Sequence, residues 1–346
     1  MLYYYALLYY NINLKQINTM KKIHLISTLI GLLAFSTISK ADLKVVTSIK
    51  PIHSLASYIM DGVGSPGLIV DGYNSPHNFQ LKPSHAKMLE QADIIFWVGE
   101  DLENFLEKPL DTIAKKAEKI ELLEIKGIKK LKFRERNIFE EHDDHGHDAK
   151  KEEHDDHGHD AKKEEHDDHD DHDDHEGHGH GEYDPHIWLD PINAKVILNE
   201  ITEHLIENDS KNASTYKSNL AKALAKIDKL IIDVITETNT DLSYVVFHDA
   251  YQYYENRFNV NILGAMTVNP DVMPGAEQIH EIHEIIEHDN VSCILSEPQF
   301  NPDIIKSIAK DTNVKTGVLD PLGANLKPGK DLYFDLIRNM SASFNC

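Results

Sequence analysis

DLKVVTSIKPIHSLASYIM, residues 42–60, decides how the rest of the chain is read. Leu43–Ile49 is a β-forming run long enough for one strand, and Ile52–Met60, entered through Pro51, has the spacing of a helix. A strand feeding straight into a helix is half of a parallel βαβ unit, and the pattern recurs downstream. Leu68–Val70 starts a second strand that ends in the turn-rich DGYNSP (71–76), and Pro83-Ser84 open a helix through Ala92. DIIFWVG (93–99) is a buried strand, Asn104–Ala117 is helical, and Lys119–Ile125 is a further strand. Past Asp190-Pro191 the sequence is helical to about Glu207 and is broken by Asn208-Asp209-Ser210. It is helical again from Ser214 to Thr236, with Leu220, Leu224, Ile227, Leu230, Ile231 and Val234 at three- and four-residue spacing. At ~1.5 Å per residue that helix spans roughly 30 Å, the diameter of a small lobe, and reads as a rigid strut. Strands at 244–247, 261–268, 291–295 and 315–319 then alternate with helices at 250–257, 276–287, 303–309 and 331–344. The expected fold is α/β: two lobes of parallel-sheet α/β units joined by one long helix.

One stretch departs from this rhythm. Glu140–Glu182 reads EEHDDHGHDAKK twice in tandem, then EEHDDHDDHDDHEGHGHGE. It holds twelve of the chain's 22 histidines and 20 acidic residues against four lysines, so −16 of the formal −23 lies here. With no Val, Ile, Leu, Phe or Trp it cannot offset the entropy of ordering, and it reads as a solvated, disordered insert. Its imidazoles (His142, His145, His147, His154, His157, His159, His166, His169, His172, His175, His178 and His180) are expected to be weak auxiliary ligands for divalent metals. A plain polar spacer is the alternative. The remaining charge of −7 is ordinary for a globular protein, and with no basic cluster nucleic acid is excluded as a partner.

Met20-Lys21-Lys22, the short apolar run His24–Phe35 and Ser39-Lys40-Ala41 form a secretory signal peptide cut before Asp42, with Met20 as the expected start. About a dozen apolar residues are too few to cross a bilayer, so the mature protein is expected to be exported and soluble. The expected organisation is upstream residues and signal peptide 1–41, N-terminal lobe 42–139, insert 140–182, end of the N-terminal lobe 183–210, linker helix 211–238 and C-terminal lobe 239–346. Cys293 and Cys346, the two cysteines, could bridge in an oxidising compartment or stand as two unrelated thiols.

In open α/β sheets ligands bind beyond the carboxyl ends of strands. His77 follows the second strand, His186 sits in the doubly Pro-bounded DPHIWLDP (184–191), His248 ends YVVFH, and Asp320 ends TGVLD. Three imidazoles and a carboxylate make a four-coordinate Zn²⁺ set. The other histidines read blandly. His53 is structural, His85 an exposed cap-region residue and His204 a helix-surface residue. His280, His283 and His288 lack the spacing of a metalloprotease motif. Trp97 and Trp188 are expected in the first lobe's core.

SIKPIHSL (48–55), SPHNFQLKPS (75–84), DPHIWLDP, FHDAYQYYENRF (247–258), VNPDVMPGAEQI (268–279), CILSEPQFNP (293–302) and KTGVLDPLGA (315–324) occur together and in order. In this the chain resembles the periplasmic zinc-binding proteins of the ZnuA type, from the metal-specific group of ABC-transporter solute receptors. The resemblance covers Asp42 to Cys346. It implies two lobes joined by a long helix, with a metal site in the interlobe cleft and a His-rich loop before DPHxWLDP. It also implies zinc ligands at His77, His186 and His248, with Asp320 or a water fourth, and a Cys293–Cys346 disulfide. The implied function is periplasmic capture of Zn²⁺, the transported ligand, and its delivery to an ABC-transporter membrane permease by a monomer that docks at the membrane only peripherally. The imidazole of His248, where manganese and iron carriers tend to have a carboxylate, favours Zn²⁺. The chain departs from the pattern at Gly264-Ala265-Met266, where some members carry a histidine used in a secondary site. A manganese or iron receptor of the same group, a zinc hydrolase with Glu297 as its base, and a periplasmic metal buffer are the competing readings.

Overall fold

The computed structural model describes residues 42–134, 136–139, 181–270 and 272–346. The expected signal peptide, the Met20 start and the twelve auxiliary histidines lie outside the described residues.

Leu43–Cys346 carries two four-stranded sheets, each parallel throughout. The first has β1 (Val45–Ile49), β2 (Gly67–Val70), β3 (Ile94–Trp97) and β4 (Glu118–Glu121) in the order β2-β1-β3-β4. Its helices are α1 (Lys50–Ile59), α2 (Pro83–Glu90) and α3 (Glu100–Thr112). Every residue of β1 and β3 is buried, as expected for central strands of a sheet covered on both faces. Next come α4 (Pro191–Asn208) and α5 (Ala213–Glu237). Asp190 caps α4 by accepting the Ile192 N–H, and Pro191 supplies a first-turn residue with no amide to satisfy. α5 buries Tyr216, Asn219, Ala223, Ile227, Leu230 and Val234 along one face. Asn219 donates to the carbonyls of Ile59 and Asp61, satisfying backbone acceptors left over at the end of α1.

The second sheet repeats the plan with β5 (Ser243–His248), β6 (Asn261–Thr267), β7 (Cys293–Ser296) and β8 (Lys315–Val318) in the order β6-β5-β7-β8. Its helices are α6 (Gln252–Phe258), α7 (Ala276–His288) and α8 (Asp303–Thr312), and α9 (Leu332–Ser343) closes the chain. The expected two-lobed α/β fold with a long intervening helix is the fold observed.

Two segments make contacts across the order of the chain. α9, read as part of the C-terminal lobe, packs on α1 and α5. Its Tyr333 amide donates to Ser54 Oγ, and the Lys50 ammonium reaches the carbonyls of Ala324 and Leu326. The chain around Arg134–Phe139, read as the end of the first lobe, is stitched to the second sheet. Ile138 bridges Gly264 antiparallel, Phe139 donates to Leu263 O, and Ala265 donates to Asn137 O. A Cβ on Gly264 would stand 2.7 Å from Asn137 O, so the close approach requires glycine there. Cys293 and Cys346 form a disulfide that ties β7 to the chain's end, their Cα atoms 6.4 Å apart.

Candidate metal centre

His248 is the last residue of β5, and Glu297 follows directly on β7, the neighbouring strand. The connection after β5 leads to β6 on one side, and that after β7 leads to β8 on the other. The pair thus sits at the point where the strand order reverses, the usual crevice of such sheets. The first sheet's side supplies His77, from the loop after β2, and His186, from the turn into the short 3-10 segment Ile187–Leu189. These three imidazoles converge. Their ring centroids are 5.3, 5.5 and 5.7 Å apart, and one ligand atom of each lies within 4.8 Å of the others.

Carboxylates set the orientation of two of the rings. Asp184 Oδ1 is 2.7 Å from His186 Nδ1, and Glu297 Oε1 is 2.6 Å from His248 Nδ1. Each Nδ1–H donates outward, so each Nε2 keeps its lone pair and faces inward. The two Nε2 atoms are 3.4 Å apart. Two lone pairs at that distance repel unless a cation lies between them. Two Zn–N bonds of about 2.05 Å at a tetrahedral angle would set the nitrogens roughly 3.3 Å apart. His186 and His248 are each 3% exposed, while His77 is half-buried. Together with Trp188, Phe300 and Leu322 they line a cavity of about 10 Å³, about the room of a single small particle.

Burial and charge divide the two inner rings. Burial, reinforced by His248, holds His186 well below the usual histidine range. For His248 burial is again the largest influence and works downward, but the Glu297 carboxylate and its hydrogen bond override it and the pKa is raised. Burial pushes the carboxyls of Asp184 and Asp249 up to about 7. Arg134 counters this by pairing with Asp249 at 3.1 Å and with Glu255. That arginine, at the foot of the insert, supports the turn carrying His248.

Asp320 stands outside the cluster. Its Oδ1 accepts from Gln299 Nε2 and from the amides of Leu322 and Gly323, and its Oδ2 accepts from the Ala324 amide. These bonds hold the turn after β8, and the carboxylate is not among the three side chains grouped as candidate ligands. Trp188 is fully buried as expected, but its indole donates to Pro321 O, in the loop after β8, rather than serving the first lobe alone. His53 is buried against Pro66 O, in keeping with a structural role. His85 is half-buried rather than exposed, accepting the Lys82 amide at the start of α2 and stacking on Phe79. Of the supporting carboxylates, Asp184 has no role in the sequence reading and Glu297 enters it only as the base of a hydrolase. Their signal was present: an acidic residue two before His186, and one immediately after a strand neighbouring that of His248.

A profile of the family described as zinc-uptake complex component A, periplasmic, matches residues 45–345. The high-affinity zinc uptake system protein ZnuA of Brucella abortus (strain 2308) is 50% identical over 301 residues, 86% of this chain and 90% of that protein. Its namesake from Yersinia pestis is 36% identical over 325 residues, 91% and 94% of the two chains. A crystal structure of ZnuA superimposes with a TM-score of 0.66 at 20% identity, over 87% of this chain and 99% of the other, a likeness of fold.

Proposed function

Since the chain belongs to the ZnuA family of periplasmic zinc-uptake components, we propose that it captures Zn²⁺ through His77, His186 and His248 and delivers it to a membrane permease. The observation that carries this reading is the pair of inward-facing Nε2 atoms 3.4 Å apart, each fixed by a carboxylate on Nδ1. Three nitrogen donors with no carboxylate in the cluster suit zinc better than the harder manganese ion, and a water completes the set. The same geometry favours a receptor over a hydrolase: Glu297, the base that a hydrolase reading would use, is buried and has one oxygen bonded to His248 Nδ1, where it braces the ring. The protein therefore works as a receptor, exported to the periplasm, and as a monomer. No helix among the described residues is long and apolar enough to cross a membrane. Titration of the exported chain should show one tight zinc ion and several weaker ones. A His248→Ala variant that kept the tight ion would refute the ligand set, and displacement of zinc by an equal concentration of manganese would favour the other receptor class.

A further inference from the structure

We propose that Glu118, His204 and Glu207 form a second divalent-cation site, of the zinc class, at the edge of the first sheet opposite the cleft. Glu118 opens β4, the edge strand, whereas His248 closes β5 and His77 follows β2. Glu200, His204 and Glu207 are spaced four and three apart on α4 and so share one helix face. Packing brings that face onto Glu118, and one ligand atom from each of Glu118, His204 and Glu207 lies within 4.8 Å of the other two.

His204 makes this more than a crowd of carboxylates. Its Nε2 lies 3.2 Å from Glu200 Oε1, and its Nδ1 lies 2.8 Å from Glu118 Oε1. Nε2 makes a hydrogen bond; Nδ1 is cut off from solvent and makes none, because the carboxylate oxygen is near but out of line. With the ring proton on Nε2, toward Glu200, the Nδ1 lone pair faces an anionic oxygen at close range. That contact is repulsive until a cation enters between them. The arrangement repeats the logic of the cleft, where a carboxylate holds one ring nitrogen and presents the other to a metal. The surroundings also fix the ligands: Asn208 Nδ2 donates to the other oxygen of Glu118 at 2.9 Å, and the His204 ring packs edge-on to Phe96. One imidazole and two carboxylates, with water completing the sphere, suit Zn²⁺ or Co²⁺ better than Mg²⁺ or Ca²⁺, which prefer oxygen alone. Glu207 is exposed and the others half-buried, so the site exchanges with solvent more readily than the cleft.

Crystals of the full chain grown in excess zinc, with diffraction recorded on both sides of the zinc absorption edge, test the proposal. The expected result is an anomalous peak about 2.0–2.2 Å from His204 Nδ1 and from one oxygen each of Glu118 and Glu207, in addition to the cleft peak. Glu207→Gln alters an exposed side chain, so the fold is retained, and occupancy should fall at least about tenfold at matched zinc while the cleft peak stays. Absence of the peak, or its survival in both Glu207→Gln and His204→Gln, overturns the proposal. Nitrogen-15 spectra of the imidazoles give a second reading. His204 should show a proton on Nε2 and an Nδ1 signal that moves on zinc addition. An Nδ1 that is protonated and indifferent to zinc would mark an ordinary ion pair with Glu118 and would also overturn it.

Discussion

The cleft holds its three histidines in two different ways. His248 stands at the end of a buried central strand, braced by a carboxylate from the next strand, and His186 stands in a turn fixed by Pro185, by Asp184 and by the Asp190 cap. Asp190 itself accepts from Arg257 Nε and Nη2, at 2.7 and 2.8 Å, so one segment of eight residues serves the ligand, the helix start and the contact with α6. His77 is different: half-buried, on a turn-rich loop after an edge strand. The difference teaches where affinity and exchange reside. Two preorganised rings bind the ion without further ordering cost, and the loop ring completes the site or lets it go.

The largest expected effect follows from that division. His248→Ala or His186→Ala removes one of about four coordinate bonds in a desolvated site and should weaken zinc binding by several kcal/mol, roughly a thousandfold. His77→Ala should cost about tenfold less, with the loss showing in a faster release rate. Competition titration and stopped-flow chelation separate the two, and equal losses at all three positions would end the distinction.

Next in size are the braces. Glu297→Gln and Asp184→Asn keep shape but weaken the hold on Nδ1, and each should lower zinc affinity about 10–100-fold. Isothermal titration of the two variants measures this. An unchanged affinity would mean that packing alone orients the rings.

A smaller, graded effect comes from pH, and its sign is fixed by the directions of the shifts. The pKa of His248 is raised in the folded protein, so a proton held there stabilises the metal-free fold below about 6.5 and that stabilisation fades as pH rises through the raised value. The pKa of His186 is lowered, so the metal-free fold loses stability as pH falls below about 6.5, where the unfolded chain takes up a proton and the folded one does not. Zinc must displace the His248 proton, so affinity should fall about tenfold per pH unit once below that raised value. Binding measured from pH 8 to pH 5 that showed no slope would mean that Glu297 does not hold a proton on His248.

Much of this was legible in the chain itself. Strand–helix alternation from Leu43 onward foretold both sheets, because buried parallel strands demand short apolar runs and their connections demand helices. His77, past β2, and His248, at the end of β5, stood out for the same topological reason and His186 for its Pro-bounded segment, and the three imidazoles lie together. Long-range returns were not legible. Nothing local marks α9 as a partner of α1, or the residues before the insert as bridging β6, since both depend on where the chain comes back in space. A carboxylate after a strand is as useful for closing a turn as for binding a metal, and the turn bonds that Asp320 accepts show only in the folded chain. His204 was passed over as a surface residue, although the Glu200-His204-Glu207 spacing on one helix face could have raised it; its partner Glu118 is remote in sequence.

The smallest effect on the tight site should come from the largest change. The acidic, histidine-rich stretch offers twelve imidazoles, yet none of His77, His186 or His248 lies within it. Its flanks are anchored independently of what lies between. On one side Phe139 pairs with Leu263 and Arg134 pairs with Asp249; on the other, the Gly181 amide donates to Asp101 Oδ1 at 2.9 Å, and Lys132 bridges Tyr183. Deleting residues 142–180 therefore leaves every brace of the cleft in place, and the tight zinc constant should stay within about threefold, since distant, independent sites change one another by only about 0.5 kcal/mol. What should disappear are the weak sites and, with them, speed. The seventeen carboxylates within the deletion raise the local concentration of divalent cations, so the intact chain should load faster from dilute zinc and more steeply so at low ionic strength. Stopped-flow loading at two salt concentrations, alongside an equilibrium titration, tests both halves. A deleted chain that loaded equally fast would reduce the insert to a spacer. One that no longer held a single zinc tightly would show that a primary ligand had been removed, and the division between a rigid pair and a loop histidine would have to be rebuilt around it.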